Sequence, residues 1–348
     1  MGSIINMQRK HAIVIGGGIA GLCAALELAR FDIDVDLVEK GPALGGHARS
    51  LTCKATDRCV KCGACLVEER LQAVVENPNI KVHLGSEIME VQDSGGFSVV
   101  ISNEGKSTCS CEADAVIIAS GFSLFRPDGK PYGYKRFANV LTNLDLERMI
   151  RMQGSVKRPS DQREPEKIAF IQCVGSRDAK TGHLWCSRIC CGAALRMSRL
   201  IRSRQPQVTI SVFYIDIQSS GRDFQFFLDG LRNDVRLIRA IPADVFRTED
   251  DRLSMSYFDP TSRQSKDEIF DMIILSVGLC PGDDLKGLCS LFGMKLSDSG
   301  FVTVSDKTEY PEKHGVFAAG TVLGPMGIAE SIASAGKAVW EAIRYLKI

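Results

Sequence analysis

Residues 11–41 read HAIVIGGGIAGLCAALELARFDIDVDLVEKG, and the fold turns on how this stretch is read. An uncharged apolar run, three consecutive glycines, a helical pattern and a second β-branched run ending in an acid follow one another. The order is strand, turn, helix, strand. Within the turn, the spacing Gly16-x-Gly18-x-x-Gly21 suits a nucleotide pyrophosphate. Gly16 permits the tight turn, Gly18 lets a phosphate approach the backbone, and Gly21 lets the helix pack on the strand. The first helical residues, Ile19 and Ala20 among them, present N–H groups and partial positive charge to the phosphates. Glu39, followed by Lys40, closes the second strand 18 residues after Gly21, where a carboxylate can accept ribose hydroxyls.

Two further stretches point to FAD as the dinucleotide. Directly after Glu39 comes KGPALGGHARS, whose Gly45–Gly46 pair suits a cofactor that continues past the pyrophosphate. Near the C-terminus, HGVFAAGTVLGPMGIAESIASAGKAVWEAI (314–343) reads as a short strand, a glycine turn and a helix from about Gly327. It resembles the second flavin motif of two-dinucleotide flavoproteins, in which the turn meets the ribitol and the helix N-terminus faces the flavin ring. On that resemblance Gly320, Thr321, Gly327, Ile328 and Ala329 are cofactor contacts, with Thr321 standing where those proteins carry Asp. The buried strand in ADAVIIASGF (113–122) supplies another approach, at Ala119 and Gly121.

Composition bounds the rest. A chain of 348 residues, 45% hydrophobic and 24% charged, is ordinary globular usage with room for two medium domains. A net charge of +1 gives no electrostatic case for nucleic acid or an anionic membrane surface. The uncharged run 12–26 is too short for a membrane span and carries three consecutive glycines near its middle, so no membrane insertion is expected. The opening MGSIINMQRK reads as a flexible leader, with Met7 an alternative start. Thirteen cysteines cannot all pair, and they cluster at 53–65 and 173–191. Reduced thiols with metal ligation in the cytoplasm fit this better than an extracellular disulfide scaffold.

The middle of the chain repeats the α/β pattern: KIAFIQCVGS (167–176), CGAALRMSRLIRSR (191–204), QVTISVFYID (207–216) and DMIILSVGL (271–279) read as strand, helix, strand, strand. Here a pyridine-nucleotide flavoenzyme needs a second glycine fingerprint, but Gln172-Cys173-Val174-Gly175-Ser176-Arg177 stands in its place. No seat for NAD(P)H is evident. Instead Cys173, Cys186, Cys190 and Cys191 form C-x12-C-x3-C-C. Four thiolates arriving from a strand end, a loop and a helix start can converge on one iron–sulfur cluster. Arg188, Arg196 and Arg199 are at hand to offset its charge.

These motifs resemble the A-type polypeptide of heterodisulfide reductases, over nearly the whole chain. The resemblance is carried by IGGGIAG, by PYGYKRFANVLTNLDLERMI (131–150), by FIQCVGSR and CSRICC around the cysteines, and by GPMGIAESI. In size the chain is closest to the short form found in heterodisulfide-reductase-like complexes of sulfur-oxidising microbes. The long members add ferredoxin-like domains for which this chain has no room, leaving electrons fewer exits. The resemblance implies a thioredoxin-reductase-like α/β fold of two dinucleotide-binding domains, the FAD domain being split in sequence. The expected boundaries are 1–145 and 298–348 for FAD, and 146–297 for a Rossmann-like domain with a [4Fe–4S] cluster in place of NAD(P). It further implies an electron-transfer subunit in sulfur metabolism, working as a homodimer with B- and C-type subunits.

A second group, Cys53, Cys59, Cys62 and Cys65, lies in LTCKATDRCVKCGACLVEE (51–69). Its C-x2-C-x2-C run has ferredoxin half-site spacing without the usual proline or partner run. A second cluster, a redox or persulfide-handling thiol group, and plain structural cysteines all fit. On the thiol reading the chain is a stand-alone NAD(P)H-dependent disulfide or persulfide reductase; a flavin-fold scaffold subunit is the other alternative. The five histidines show no H-x-x-H spacing, so the sequence points to no zinc site. Cys109 and Cys111 alternate on one strand face and read as packing residues.

Overall fold

The computed structural model describes residues 9–103, 107–218, 224–303 and 315–348. Most of the expected leader thus lies outside the described residues. The chain divides into two compact units, one made of 1–49, 65–123 and 281–348, the other of 50–64 and 124–280.

The first unit is built on a parallel sheet. Its strands are β1 (His11–Ile15), β2 (Asp34–Glu39), β3 (Ile80–Leu84), β7 (Ala115–Ile118) and β18 (Val316–Ala318), in the order β18-β7-β1-β2-β3. The near-continuous burial of β1 and β7 is what a parallel sheet covered on both faces requires. Helices α1 (Ile19–Ala29), α2 (Leu66–Glu76), α6 (Leu285–Phe292) and α7 (Ile328–Leu346) belong to this unit. A meander of β4 (Ser86–Asp93), β5 (Phe97–Asn103) and β6 (Ser107–Ala113) adds a three-stranded antiparallel sheet. Phe97, Val99 and Ile101 of β5 share one core with Ile13 and Val116 of the parallel sheet and with Leu285 and Phe292 of α6.

The second unit repeats the plan. Its parallel sheet has the order β12-β11-β10-β16-β9, from β9 (Val140–Thr142), β10 (Lys167–Val174), β11 (Thr209–Phe213), β12 (Val235–Ile238) and β16 (Met272–Val277). Helices α3 (Asn143–Gln153), α4 (Cys190–Arg204) and α5 (Phe224–Leu231) accompany it, with an antiparallel sheet of β13 (Val245–Arg247), β14 (Leu253–Asp259) and β15 (Gln264–Phe270). Short strands β8 (Phe122–Leu124) and β17 (Leu279–Pro281) mark where the chain passes between the units. Among the described residues, no helix is long and apolar enough to cross a membrane.

The division corrects the expected boundaries in three places. Residues 124–145 join the second unit because β9 pairs with β16, Val140 against Ile273 and Thr142 against Leu275. Residues 281–297 join the first because α6 buries Leu285, Leu288 and Phe292 in its core. Segment 50–64, which carries Cys53, Cys59 and Cys62, belongs to the second unit, and an ion pair shows why. Lys54 and Glu147 of α3 are each only 3% exposed, and Lys54 Nζ lies 2.6 Å from Glu147 Oε1. The Lys54 ammonium also donates to Thr52 O at 2.8 Å, and Thr52 N donates to Glu147 Oε2 at 3.0 Å. Two buried charges, paired with each other and each hydrogen-bonded to Thr52, fix the segment on α3.

Replacing Glu147 with Ala leaves the Lys54 charge buried and alone. We expect the second unit to lose on the order of 3–5 kcal/mol in urea unfolding. A loss under about 1 kcal/mol, the range of exposed pairs, would show that the pair does not anchor the segment.

Candidate functional site

Every cofactor-contact residue expected from the sequence, except the side chain of Lys40, falls at one edge of the first unit's sheet. Residues 16–18 follow β1, 40–46 follow β2, 119–121 follow β7 and 319–327 follow β18. In a parallel sheet these are the carboxyl ends of the strands, the edge where α/β folds bind ligands.

The glycines account for how tight this edge is. Gly16 has φ +107°, and a Cβ there would lie 2.3 Å from Ala119 O, so the turn leans on the end of β7. A Cβ on Gly21 would sit 1.8 Å from Gly16 O, which brings α1 down on its own turn. Gly18 differs. It has φ −75° and a Cβ there would meet nothing within 4 Å. The space above Gly18 is open to something outside the chain. Gly18 is also the N-cap of α1 with no side-chain cap bond and no acid in the first turn, so the first helical N–H groups have no anionic side chain to satisfy them. Gly45 N donates to Gly17 O at 2.8 Å, bringing the second glycine pair to the same place. These features fit a pyrophosphate.

Glu39 behaves differently from the simple expectation. Its Oε2 accepts from Gly17 N and its Oε1 from Gly41 N, both at 2.6 Å, so the carboxylate ties the two glycine turns together. A carboxylate oxygen has a second lone pair, and ribose hydroxyls can still be accepted there. Lys40 turns away to pair with Glu87 of β4 at 2.8 Å. At the α7 end, Gly320 N donates to Ser334 Oγ at 3.0 Å, Thr321 is buried, and Gly327 N donates to Glu330 Oε2 at 2.8 Å. Ile328 and Ala329 open α7. His47 stacks on Phe122, ring centroids 4.4 Å apart, with Nε2 3.0 Å from Phe122 O.

In the second unit the cysteines of the central motif come together. Cys173 is the last residue but one of β10, inside a register shift between Ile171 and Val174, and it holds φ +60°. Bulges of this kind re-aim a side chain out of the pleat. Arg177 and Arg188, in the loop that follows, also hold positive φ, at +55° and +61°. That loop, 175–189, occupies the place of the tight turn between β10 and α4 and carries Cys186. Cys190 and Cys191 are buried and open α4, whose N-terminus has no side-chain cap and no acid. The four thiols are close enough that the charge of each acts on each of the others. Among the described residues no three of them close to within 4.8 Å of one another, a spread wider than a single ion needs.

Burial raises the Cys173 thiol to about 11, and it pushes Cys190 and Cys191 up as well. Left alone, these groups stay protonated; four thiolates there need a strongly positive centre. On either side of Cys173, both polar atoms of the Gln172 amide and the Ser176 hydroxyl are buried without a protein partner. Buried polar atoms without partners call for a group the chain does not supply. The donor set, the uncapped helix end and these orphans fit a thiolate-held cluster.

The arginines sort differently from expectation. Arg177, which the sequence reading did not single out, ion-pairs with Asp216 and feels the charge of Cys173 and Cys186. Its only sequence signal is a place four residues after Cys173. Arg196 and Arg199 instead hold the 50–64 segment: Arg196 Nε donates to Val60 O at 3.1 Å, and Arg199 pairs with Asp57 at 2.6 Å. Cys62 lies near enough for its charge to act on Arg196. Cys53 and Cys59 are exposed in that segment, whereas Cys65 caps α2 in the first unit. The second cysteine group is therefore divided between two bodies.

Known proteins show the same plan. Residues 14–71 match the family described as an NAD(P)-binding Rossmann-like domain. The A-type polypeptide of the H(2):CoB-CoM heterodisulfide,ferredoxin reductase of Methanothermobacter marburgensis is 29% identical over 97% of this chain and 64% of its own length. An iron-sulfur polypeptide, also of the A type, from a CoB–CoM heterodisulfide reductase of Methanopyrus kandleri is 28% identical over 94% of this chain and 63% of its own length. The chain thus spans less than two thirds of these relatives. Thioredoxin reductase of T. acidophilum superposes with a TM-score of 0.64 at 18% identity, covering 97% of this chain and 99% of that one. The Lactococcus lactis enzyme gives 0.64 at 17% identity, over 98% and 100%. The fold is thioredoxin-reductase-like, and the chain is related over nearly all its length to the A-type polypeptides of heterodisulfide reductases.

Gly18 gives a clean test of the nucleotide turn, because an added methyl meets nothing in the protein. Gly18→Ala is expected to leave the urea midpoint of the FAD-free protein unchanged and to weaken FAD binding about tenfold or more. Unchanged FAD affinity would place the pyrophosphate elsewhere.

Proposed function

We propose that the chain is an oxidoreductase that carries FAD in its first unit and one [4Fe–4S] cluster on Cys173, Cys186, Cys190 and Cys191 in its second. It serves as an electron-transfer subunit of a heterodisulfide-reductase-like complex of sulfur metabolism. The observation that carries this reading is the convergence of four thiols, two buried and two half-buried, where a nucleotide-binding turn would otherwise stand. The relatives named as A-type polypeptides of heterodisulfide reductases support the family, and the name of one of them includes iron-sulfur.

Bound together, FAD and the cluster supply an exchange between two-electron and one-electron traffic. The chain's own residues set the conditions. The turn at Gly16–Gly21 and the start of α1 bind and orient the dinucleotide phosphates, and Glu39 holds that turn closed. Cys173 is aimed by its bulge, Cys190 and Cys191 by the first turn of α4, and Cys186 by the loop between them. The uncapped end of α4 and Arg177 put positive potential beside thiolates and stabilise a negatively charged centre. Burial of Cys190 and Cys191 keeps solvent from the ligands.

The stand-alone disulfide reductase needs a seat for NAD(P)H, and the 175–189 loop stands in that position. Partners of the B and C type, a homodimeric core and a cytoplasmic setting complete the proposal, and follow from the family resemblance.

The ligand assignment is tested by Cys190→Ser and Cys173→Ser, each purified without oxygen. Both are expected to keep FAD and to lose the reduced-cluster EPR signal together with its iron. A full signal in either variant, or NAD(P)H oxidation by the isolated parent chain, contradicts the proposal.

A further inference from the structure

The first unit carries a second constellation that the nucleotide site does not use. Asp36 sits in the middle of β2, between Val35 and Leu37, and is 5% exposed. A carboxylate so deep in a parallel sheet needs partners. Asp36 Oδ2 lies 2.8 Å from His11 Nε2, and Oδ1 lies 2.5 Å from His83 Nε2. Register explains the meeting. Asp36 stands opposite Ile13 of β1 and Lys81 of β3, so His11 and His83, two residues away on each strand, share its face of the sheet. Cys111 arrives from β6, and its thiol hydrogen-bonds Asp36.

We propose that His11, Asp36 and Cys111 form a site for a divalent cation of the Zn2+ class, with His83 orienting Asp36. Imidazole nitrogen, carboxylate oxygen and thiolate sulfur are the donors that such an ion takes. One donor atom from each residue lies within 4.8 Å of the other two, and no other three His, Cys or acidic residues among the described ones meet that condition. Zinc bonds of about 2.0–2.3 Å place tetrahedral donors roughly 3.3–3.8 Å apart, so small side-chain shifts close the group on an ion. Three protein ligands leave the fourth position to water or another small ligand.

The surroundings are those of a metal site and go beyond an ion pair. The His11 ring also hydrogen-bonds the backbone of Glu112, which holds the imidazole in place. His83 occupies the other oxygen of Asp36, leaving one oxygen to face the ion. A bare carboxylate–imidazole pair has no use for the thiol, which burial drives up to about 12 while it lies against the acid. The side chain of His11 is 30% exposed, which gives an ion a way in. His11 begins β1, whose far end leads into the nucleotide turn, so the two sites lie at opposite ends of that strand.

The test measures zinc and iron together. Parent protein purified without oxygen, with its iron in place, is equilibrated with ZnCl2, passed through a desalting column and analysed for both metals. The parent is expected to retain one zinc more per chain than Cys111→Ser and His11→Gln, with equal iron in all three. His83→Gln is expected to retain the site with affinity weakened about 10- to 100-fold. Equal zinc in the parent and both variants, or none in the parent, overturns the proposal. Should Cys111→Ser fail to fold, His11→Gln and His83→Gln decide the matter through the same difference and through zinc-dependent thermal stabilisation. Iron held constant separates this outcome from any failure of the cluster assignment.

Discussion

Cys173 holds φ +60° at the bulge that ends a fully engaged parallel strand, between β11 and β16. That conformation costs a non-glycine residue on the order of 1–3 kcal/mol, and it persists only where the surroundings determine it. Here they do. Parallel pairing holds Ile168–Ile171 rigidly, and the pairing resumes only at Val174, opposite Val277. The strain falls at Cys173, inside the register shift between Ile171 and Val174. Arg177 and Arg188 carry the same left-handed backbone into the following loop, on either side of Cys186 in the sequence from Cys173 to Cys190.

The two units solve one structural problem in two ways. Each has a parallel strand running into a helix whose N-terminus has no side-chain cap and no acid in its first turn. In the first unit the connection is three glycines, and the backbone is free to meet phosphates. In the second the connection is long, the helix begins with two buried cysteines, and side-chain sulfur replaces backbone N–H as the binding group. The same uncapped helix end favours negative charge in both, whether phosphate or a thiolate-held cluster. Segment 50–64 then ties its own thiols to the second unit, through the Lys54–Glu147 pair and through Arg196 and Arg199 on α4.

Much of this was legible in sequence where the signal is local. The turn from Gly16 to Gly21 announces itself because glycine spacing, strand, helix and terminal acid lie within one short window. The cysteine motif at 173–191 does so for the same reason. What stayed hidden depends on register and on long-range pairing. Nothing near residue 140 shows that a three-residue strand pairs with Ile273–Leu275, so the second unit begins earlier in the chain than the local signals suggest. Segment 50–64 lies in sequence among residues of the first unit, yet a buried lysine sends it to α3. His11, Asp36, His83 and Cys111 are scattered over a hundred residues and come together only through sheet register, so spacing rules for zinc pass over them.

The central claim is that Cys173, Cys186, Cys190 and Cys191 hold one cluster in a chain whose other unit has a flavin-binding fold. Iron and acid-labile sulfide per FAD, on protein purified without oxygen, tests it most directly. The account predicts about four irons and four sulfides per flavin. Stoichiometric FAD with no iron or sulfide would contradict it and return the chain to the disulfide reductases.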